Sequence, residues 1–323
     1  MKTNPFISVI IPERNEERYI ERCLNSLTRQ DYPKNQYEII VVDGISDDKT
    51  LEIVKKIQRK YKNIRILNNP RKIVPFALNM GIKNSKGEII VRVDGHVEIA
   101  RDYLSKCAYY LKKTKADCVG GKIETIGQGT FGKAIANVMS SKFAGSEFRY
   151  SNKEGYVKTL AFGAYRKEVF DKIGLFNEKL VRNQDDEFNY RMIDNGLKIF
   201  MTPEIKSKYY CRQNFSRLFK QYFQYGLYKP RVLRIHPKAT SFKQLMPFIF
   251  VSCLLFLSVL YTFSPDVRFL FYIFITIYIL SLLFFSFLIS KRTTFKYFFI
   301  YIVSLFLIQF GYGIGFLIGL FKR

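Results

Sequence analysis

Asp94-Gly95-His96 closes the β-branched run "EIIVRVDGHVE" (residues 88–98) and sets a carboxylate and an imidazole two residues apart. Both can face a divalent cation or its waters. A carboxylate suits Mg2+ or Mn2+, and an imidazole beside it tips the pair toward Mn2+. A second acid, Asp43, closes the run "EIIVVD", and the polar cluster "PERNEE" (residues 12–17) follows "SVII". Carboxylates repel a bare diphosphate, so a site they line needs a metal to bridge to it. Asp43 can instead accept hydrogen bonds from a base or a ribose.

These acids have to be delivered to one place, and the pattern around them supplies the means. Strands are expected at Phe6–Ile11, Glu38–Val42, Ile64–Leu67 and Glu88–Val93, with helices at Glu16–Thr28, Asp48–Lys60 and Pro75–Asn84 between them. Alternation of this kind implies an α/β fold with a mostly parallel sheet, whose ligands sit beyond the carboxyl ends of the strands. All three clusters fall there. No GxGxxG follows the first strand and no GxxxxGK[ST] occurs, so neither the usual dinucleotide loop nor the P-loop applies. Residues 119–150 are rich in Gly and Ser and read as a mobile segment.

The chain has 323 residues and a net charge of +25, which suggests an anionic partner. Five scattered cysteines without a CxxC pair argue against zinc knuckles and disulfide frameworks. The apolar run in "MKTNPFISVIIP" is too short for a secretory signal, so the N-terminal region is expected on the cytoplasmic side. Near residue 244 the composition changes. Three apolar runs follow, Leu245–Phe263, Phe269–Ser290 and Tyr297–Leu320, each long enough to cross a bilayer. The loop 291–296 is basic and 264–268 nearly neutral, as the positive-inside tendency requires. A third crossing would leave the C-terminal Phe-Lys-Arg outside, against that tendency. The last run contains Gly311, Gly313, Gly315 and Gly319, which points to a kink, a re-entrant turn or close packing. Residues 206–243 carry ten Lys or Arg and no acid, with Phe215, Leu218, Phe219, Tyr222 and Phe223 at helical spacing. Such a segment suits anionic headgroups or single-stranded nucleic acid. Its position before membrane segments selects lipid, and nucleic acid is not expected as a partner. The division expected is a catalytic domain at 1–205, a basic interfacial segment at 206–243 and a membrane domain at 244–323.

Together, "SVIIPERNEERYIERCLNSLTRQDYP", "EIIVVDGISDDKT", "PFALNMGIKNSKGEIIVRVDGH", "FGAYRKEVFDKIGLF" and "RNQDDEFNYRM" resemble family 2 glycosyltransferases of GT-A fold, over about residues 8–243. The subgroup most similar makes surface polysaccharides, of the succinoglycan type. By that resemblance Pro12, Arg14 and Glu16 belong to the loop around the nucleotide base, and Asp43 holds base or ribose. Asp94 and His96 match the ends of the metal-binding DxD, with His96 a departure from the commonest pattern. Asp185 matches the general base, with Gln184 where Glu is usual. Gly163 lies in the wall against the donor sugar, where a glycine lets backbone approach the ring. Arg71, Lys72, Lys229 and Arg231 are basic candidates for the departing diphosphate, and Lys72 is placed with the nucleotide-sugar residues. There is no Trp, so the QxxRW motif of processive synthases is absent.

The resemblance implies a membrane-anchored, inverting, metal-dependent glycosyltransferase using Mn2+ or Mg2+. It would move a sugar from a nucleotide donor, expected to be a UDP-sugar, to a lipid-linked glycan. The protein is expected in the cell membrane as a multi-pass chain with its catalytic domain cytoplasmic. The alternatives are a dolichyl-phosphate type transferase and an inactive membrane scaffold.

Overall fold

The computed structural model describes residues 4–144 and 146–322. The chain divides into two compact units, Met1–Glu124 with Tyr150–Tyr210 and Thr125–Arg149 with Cys211–Arg323.

In the first unit the four β-branched runs form β1 (Ile7–Glu13), β2 (Tyr37–Asp43), β3 (Ile64–Asn68) and β4 (Ile89–Arg92), paired in parallel. Every residue of β1, β2 and β4 is buried, as strands covered on both faces must be. The crossovers are α1 (Ile20–Thr28), α2 (Thr50–Gln58) and α3 (Val74–Lys83). α1 buries Ile20, Cys23, Leu24 and Leu27, one face of a 3.6-residue period. Next come β5 (Val97–Ile99), α4 (Tyr103–Thr114), β6 (Cys118–Ile126), α5 (Gly129–Met139) and α6 (Glu147–Tyr150). They are followed by β7 (Gly155–Val157), β8 (Ala164–Arg166), α7 (Lys167–Ile173), α8 (Gln184–Asp194) and β9 (Ile199–Tyr210). The sheet runs β3-β2-β1-β4-β8-β6-β9-β5, with β7 on β9. It turns antiparallel where β4 meets β8.

Some boundaries differ from the sequence reading. β1 continues past Ile11 to Glu13, which therefore lies in register with Asp43 on β2. α1 starts at Ile20 rather than Glu16, because residues 16–19 form a turn in which the Glu16 amide donates to Thr50 Oγ1 at 2.8 Å. Residues 119–150 hold β6 and α5 instead of an irregular loop. Two of their glycines are contact points: a Cβ on Gly121 would stand 1.9 Å from Ile205 O, and one on Gly127 1.8 Å from Gly132 O. A domain break after residue 205 would cut β9, whose Ser207 and Tyr209 pair with Ile99 and Val97 of β5.

The second unit contains α5, α9 (Phe215–Ile235), α10 (Phe242–Leu260), α11 (Pro265–Arg292) and α12 (Phe298–Phe321). α10, α11 and the stretch Phe295–Phe321 are long and apolar enough to cross a membrane. On α9, Phe219 and Phe223 lie against Gly311 and Gly315 of α12. Among the described residues all five cysteines are free thiols.

Candidate active site

The carboxyl ends of β1, β2 and β4 converge in the first unit, and the acids arrive with them. Asp43 ends β2 and is buried. Its oxygens accept the Ser46 amide at 3.2 Å, and Oδ1 also accepts the Ser46 hydroxyl at 2.6 Å. Ser46 Oγ in turn accepts the Asn15 amide at 3.0 Å, which stitches the loops after β1 and β2 together. Between them Ile45 is held at φ 55°, a costly conformation for a β-branched residue, and its side chain is exposed. The loop carries this strain to turn Ser46 back onto Asp43.

Glu13 faces Asp43 across β1 and β2. It is 6% exposed, and neither carboxyl oxygen meets a hydrogen-bond donor among the described residues. An ionised carboxylate there would lack solvation and sit beside another acid. Burial first, then the Asp43 carboxylate, with smaller contributions from Glu16 and Asp48, push Glu13 from 4.5 up to about 9. Glu13 is therefore a neutral acid at pH 7, able to share its proton with Asp43.

Gly95 lies over this pair. A Cβ on it would come within 3.1 Å of Glu13 Cβ and 3.2 Å of Glu16 Cγ, so the glycine lets the Asp94-Gly95-His96 turn close on β1. Glu16 reaches back to His96, with Oε1 and Nδ1 2.8 Å apart, and the His96 ring stands edge-on to Tyr209.

The third arrangement joins Asp94 to Asp185. Arg92, at the end of β4, points its guanidinium to Asp94 through Nε at 3.1 Å and Nη2 at 3.3 Å. Its Nη1 lies 3.7 Å from Asp185 Oδ2. Arg92 is buried, while the Asp185 side chain is 33% exposed. Burial opposes the Arg92 charge, but Asp94 and then Asp185 outweigh it and raise the pKa above its ordinary value. Asp185 comes from the first turn of α8, whose position is set from behind. Asn189 Nδ2 donates to Leu160 O at 2.8 Å, and Arg191 forks onto Glu187 and bonds Ile173 O and Leu175 O. Phe188 packs among Tyr165, Phe170 and Phe176. Gln184 is buried at the start of the same helix.

The remaining expected residues frame these clusters. Pro12 is buried in β1, in register with Val42 and beyond Ile10, where the β4 pairing ends, so its missing N–H costs no ladder bond to β4. Arg14 is exposed, with its Cβ 3.2 Å from where a Cβ on Gly44 would be. Lys72 is exposed at φ 57° in the loop after β3, which Asn69 ties to β2 by donating its amide to Asp43 O at 2.7 Å. Arg71 is paired with Glu178 at 2.7 Å and stacked on Phe76. Gly163 is buried; its carbonyl accepts the Arg92 amide at 3.1 Å, and a Cβ would meet Cys118 Sγ at 2.7 Å. Internal packing alone therefore requires glycine there. Lys229 is buried in α9 of the second unit, and Arg231 stacks on Tyr228.

The sequence reading overlooked two residues, Arg92 and Glu13. Arg92 is the only charge inside the run "IIVRV" and lies two residues before Asp94, on the same strand face. That spacing is a legible sign of a buried ion pair.

Among the described residues no three His, Cys, Asp or Glu side chains converge as a metal cage. Asp94 is 20% exposed, and His96 engages Glu16 through Nδ1. A donor set this small fits a Mg2+ or Mn2+ ion that takes its other ligands from substrate phosphates and water, the usual case for such ions.

Comparison with known proteins gives this geometry its family. The sequence matches glycosyl transferase family 2 over residues 8–174. It is 34% identical, over 71% of this chain and 74% of the relative, to a dolichyl N-acetyl-alpha-D-glucosaminyl phosphate 3-beta-D-2,3-diacetamido-2,3-dideoxy-beta-D-glucuronosyltransferase of Methanococcus voltae. Succinoglycan biosynthesis protein ExoA of Rhizobium meliloti is 29% identical over 74% of this chain and 73% of its own length. Among solved structures, the mannosyltransferase PcManGT of Pyrobaculum calidifontis, in complex with GDP-Man and Mn2+, superposes with a TM-score of 0.62. It is 16% identical, over 95% of this chain and 86% of that one. S. aureus TarS 1-349 in complex with UDP-GlcNAc gives a TM-score of 0.53 at 20% identity, over 96% and 90%. The fold is GT-A, and the chain belongs to glycosyl transferase family 2.

Proposed function

We propose that the first unit transfers a sugar, with inversion, from a nucleoside diphosphate donor to a hydroxyl of a lipid-linked glycan at the cytoplasmic membrane face. The observation that carries this reading is Arg92, which draws Asp94 and Asp185 into one charged cluster at the sheet edge. Asp185, partly open to solvent, takes the proton from the acceptor hydroxyl as its oxygen attacks the anomeric carbon. The bond from that carbon to the diphosphate oxygen breaks, and the nucleoside diphosphate leaves with the electron pair. Arg92 adds fixed positive charge between the two carboxylates where negative charge develops. Mn2+ or Mg2+, held by Asp94 with His96, would supply further charge to the diphosphate. Asp43 receives base or ribose, with Glu13 holding its neighbouring oxygen by a shared proton. Pro12, Arg14, Glu16 and Lys72 border the nucleotide, and Gly163 lies toward the sugar.

The lipid-linked acceptor is supported by the Methanococcus relative, whose name places its own acceptor on dolichyl phosphate. The presence of helices long enough to cross a membrane supports an anchored enzyme. UDP is the donor nucleotide favoured here. Membranes containing the full chain, given a panel of radiolabelled nucleotide sugars, should form a lipid-extractable product with Mn2+ or Mg2+ and none in EDTA. Asp185→Asn should lower kcat by about two to four powers of ten, the range typical for loss of a general base. Undiminished turnover by that variant would remove Asp185 from the base role, and turnover in EDTA would remove the metal.

A further inference from the structure

Hydropathy alone counts three crossings, yet the three helices are not alike. Of their most apolar stretches, 6% is buried in α10, 22% in α11 and 44% in that of α12. The burial of α12 has a specific cause. At Gly311, Gly315 and Gly319 a Cβ would stand 3.1 Å from Phe219 O, 2.1 Å from Phe223 O and 2.4 Å from Leu227 O. Successive turns of α12 thus meet successive turns of α9 in ascending order, so the two helices run parallel and in step. Gly226 returns the contact, 2.1 Å from Tyr312 O by the same measure. At the far end Arg234 donates to Lys322 O at 3.0 Å and to Leu320 O at 2.5 Å, binding the last turn of α9 to the last turn of α12.

We propose that α12 does not cross the bilayer: α10 and α11 alone span it, and α12 lies with α9 in the headgroup layer on the side where the chain enters. The inference rests on reading α10 and α11 as spans. If they are, α11 returns to the side where α10 began, and α12 starts there. A crossing α12 would end on the opposite side and hold the end of α9 beside it. Only residues 236–241 link α9 to α10. From Ile235 to Phe242 the chain can reach at most about 25 Å, less than the roughly 30 Å of hydrocarbon. The link is shorter still, since the Ala239 amide turns back to His236 O. A crossing would also carry α9 into the membrane with Arg217, Lys220, Lys229, Arg231 and Arg234. Charged residues of this kind are strongly disfavoured at the bilayer centre.

Two further observations fit the in-plane placement. Gly313, on the other side of α12, meets Pro247 O and Val251 Cγ2 in the first half of α10, at 2.3 and 2.5 Å from its Cβ position. Phe299, Val303 and Phe306 form an exposed apolar stripe on α12 that headgroup-level lipid can cover. The second unit has only Glu147 and Asp266 as acids, so its partner surface is the anionic lipid layer. With α12 in plane, Lys322 falls on the basic side, as the positive-inside tendency requires.

Single cysteines at Lys62→Cys, Phe263→Cys and Lys322→Cys, all exposed positions, would be introduced into the full chain with its five native cysteines replaced by alanine, and probed with a membrane-impermeant maleimide in sealed vesicles of known orientation. The expected result is that Lys322→Cys and Lys62→Cys label from one side and Phe263→Cys from the other. Labelling of Lys322→Cys together with Phe263→Cys, opposite Lys62→Cys, would overturn the placement of α12. Labelling of all three from one side would overturn the two-span arrangement itself. Transfer activity measured in the same vesicles reads the catalytic proposal separately.

Discussion

Replacing Glu13 with Gln should stabilise the first unit, and the gain should grow with pH. The carboxyl of Glu13 lies at about 9 in the folded chain against 4.5 when free. Below 4.5 the acid is neutral in both states and has no linkage effect. As pH rises from 4.5 the unfolded chain ionises while the folded one holds its proton, so folded stability declines, until the folded carboxyl ionises near 9 and the decline ends. At about 1.36 kcal/mol per unit, the loss is under about 1 kcal/mol at pH 5, about 3 kcal/mol at pH 7 and about 6 kcal/mol above pH 9. Gln keeps the shape and a donor toward Asp43, and does not titrate. Hydrogen exchange of the β1 and β2 amides in the full chain, wild type against Glu13→Gln at each pH, isolates this unit from the membrane helices. Where exchange needs unfolding of these strands, protection in the variant should exceed wild type by about two powers of ten at pH 7 and by under tenfold at pH 5. A difference that stays constant with pH, or shrinks as pH rises, would refute the neutral-acid assignment.

Arg92→Met removes the shared cation and leaves Asp94 and Asp185 facing each other; it should cost about 3–5 kcal/mol of stability, seen as reduced protection of the β4 amides, and abolish transfer. Arg92→Lys keeps the charge but not the fork, so transfer assays should show a lower kcat while the fold is kept. Gly315→Leu forces a side chain into Phe223 O and should lower the thermal midpoint of the purified chain by an amount equivalent to about 1–3 kcal/mol.

The parallel half of the sheet was legible because three strands buried on both faces, β1, β2 and β4, are rich in β-branched residues, and with the half-exposed β3 they alternate with helical periods. β7 and β8 have only three residues each, too few for a period to register. Asp43, Asp94 and His96 announced themselves as polar breaks at strand ends. Glu13 was hidden by its neighbours: inside "PERNEE" it reads as one more loop charge, and only the register of β1 on β2 sets it against Asp43. The pairing of Glu16 with His96 joins two separate loops and leaves no mark on either. In α12 the glycine spacing of four showed that something packs closely, but the identity of that neighbour is a tertiary fact.

The geometry around Arg92 also holds the two carboxylates differently. Toward Asp94 it makes two bonds, at 3.1 and 3.3 Å, and so fixes the plane of that carboxylate. Toward Asp185 it offers a single approach at 3.7 Å, outside hydrogen-bonding distance. A carboxylate clamped by a guanidinium fork has one lone pair on each oxygen engaged, which lowers its basicity but leaves the other pair free for a cation; one held only by longer-range attraction is the better proton acceptor. The Asp186 amide also donates to Asp185 Oδ1, at 3.0 Å. The strength of each contact therefore matches the role proposed for each acid: rigid where a diphosphate must be placed, loose where a proton must be taken. Because both contacts issue from one buried side chain on β4, the two acids proposed for the donor and acceptor sides are tied to the same strand.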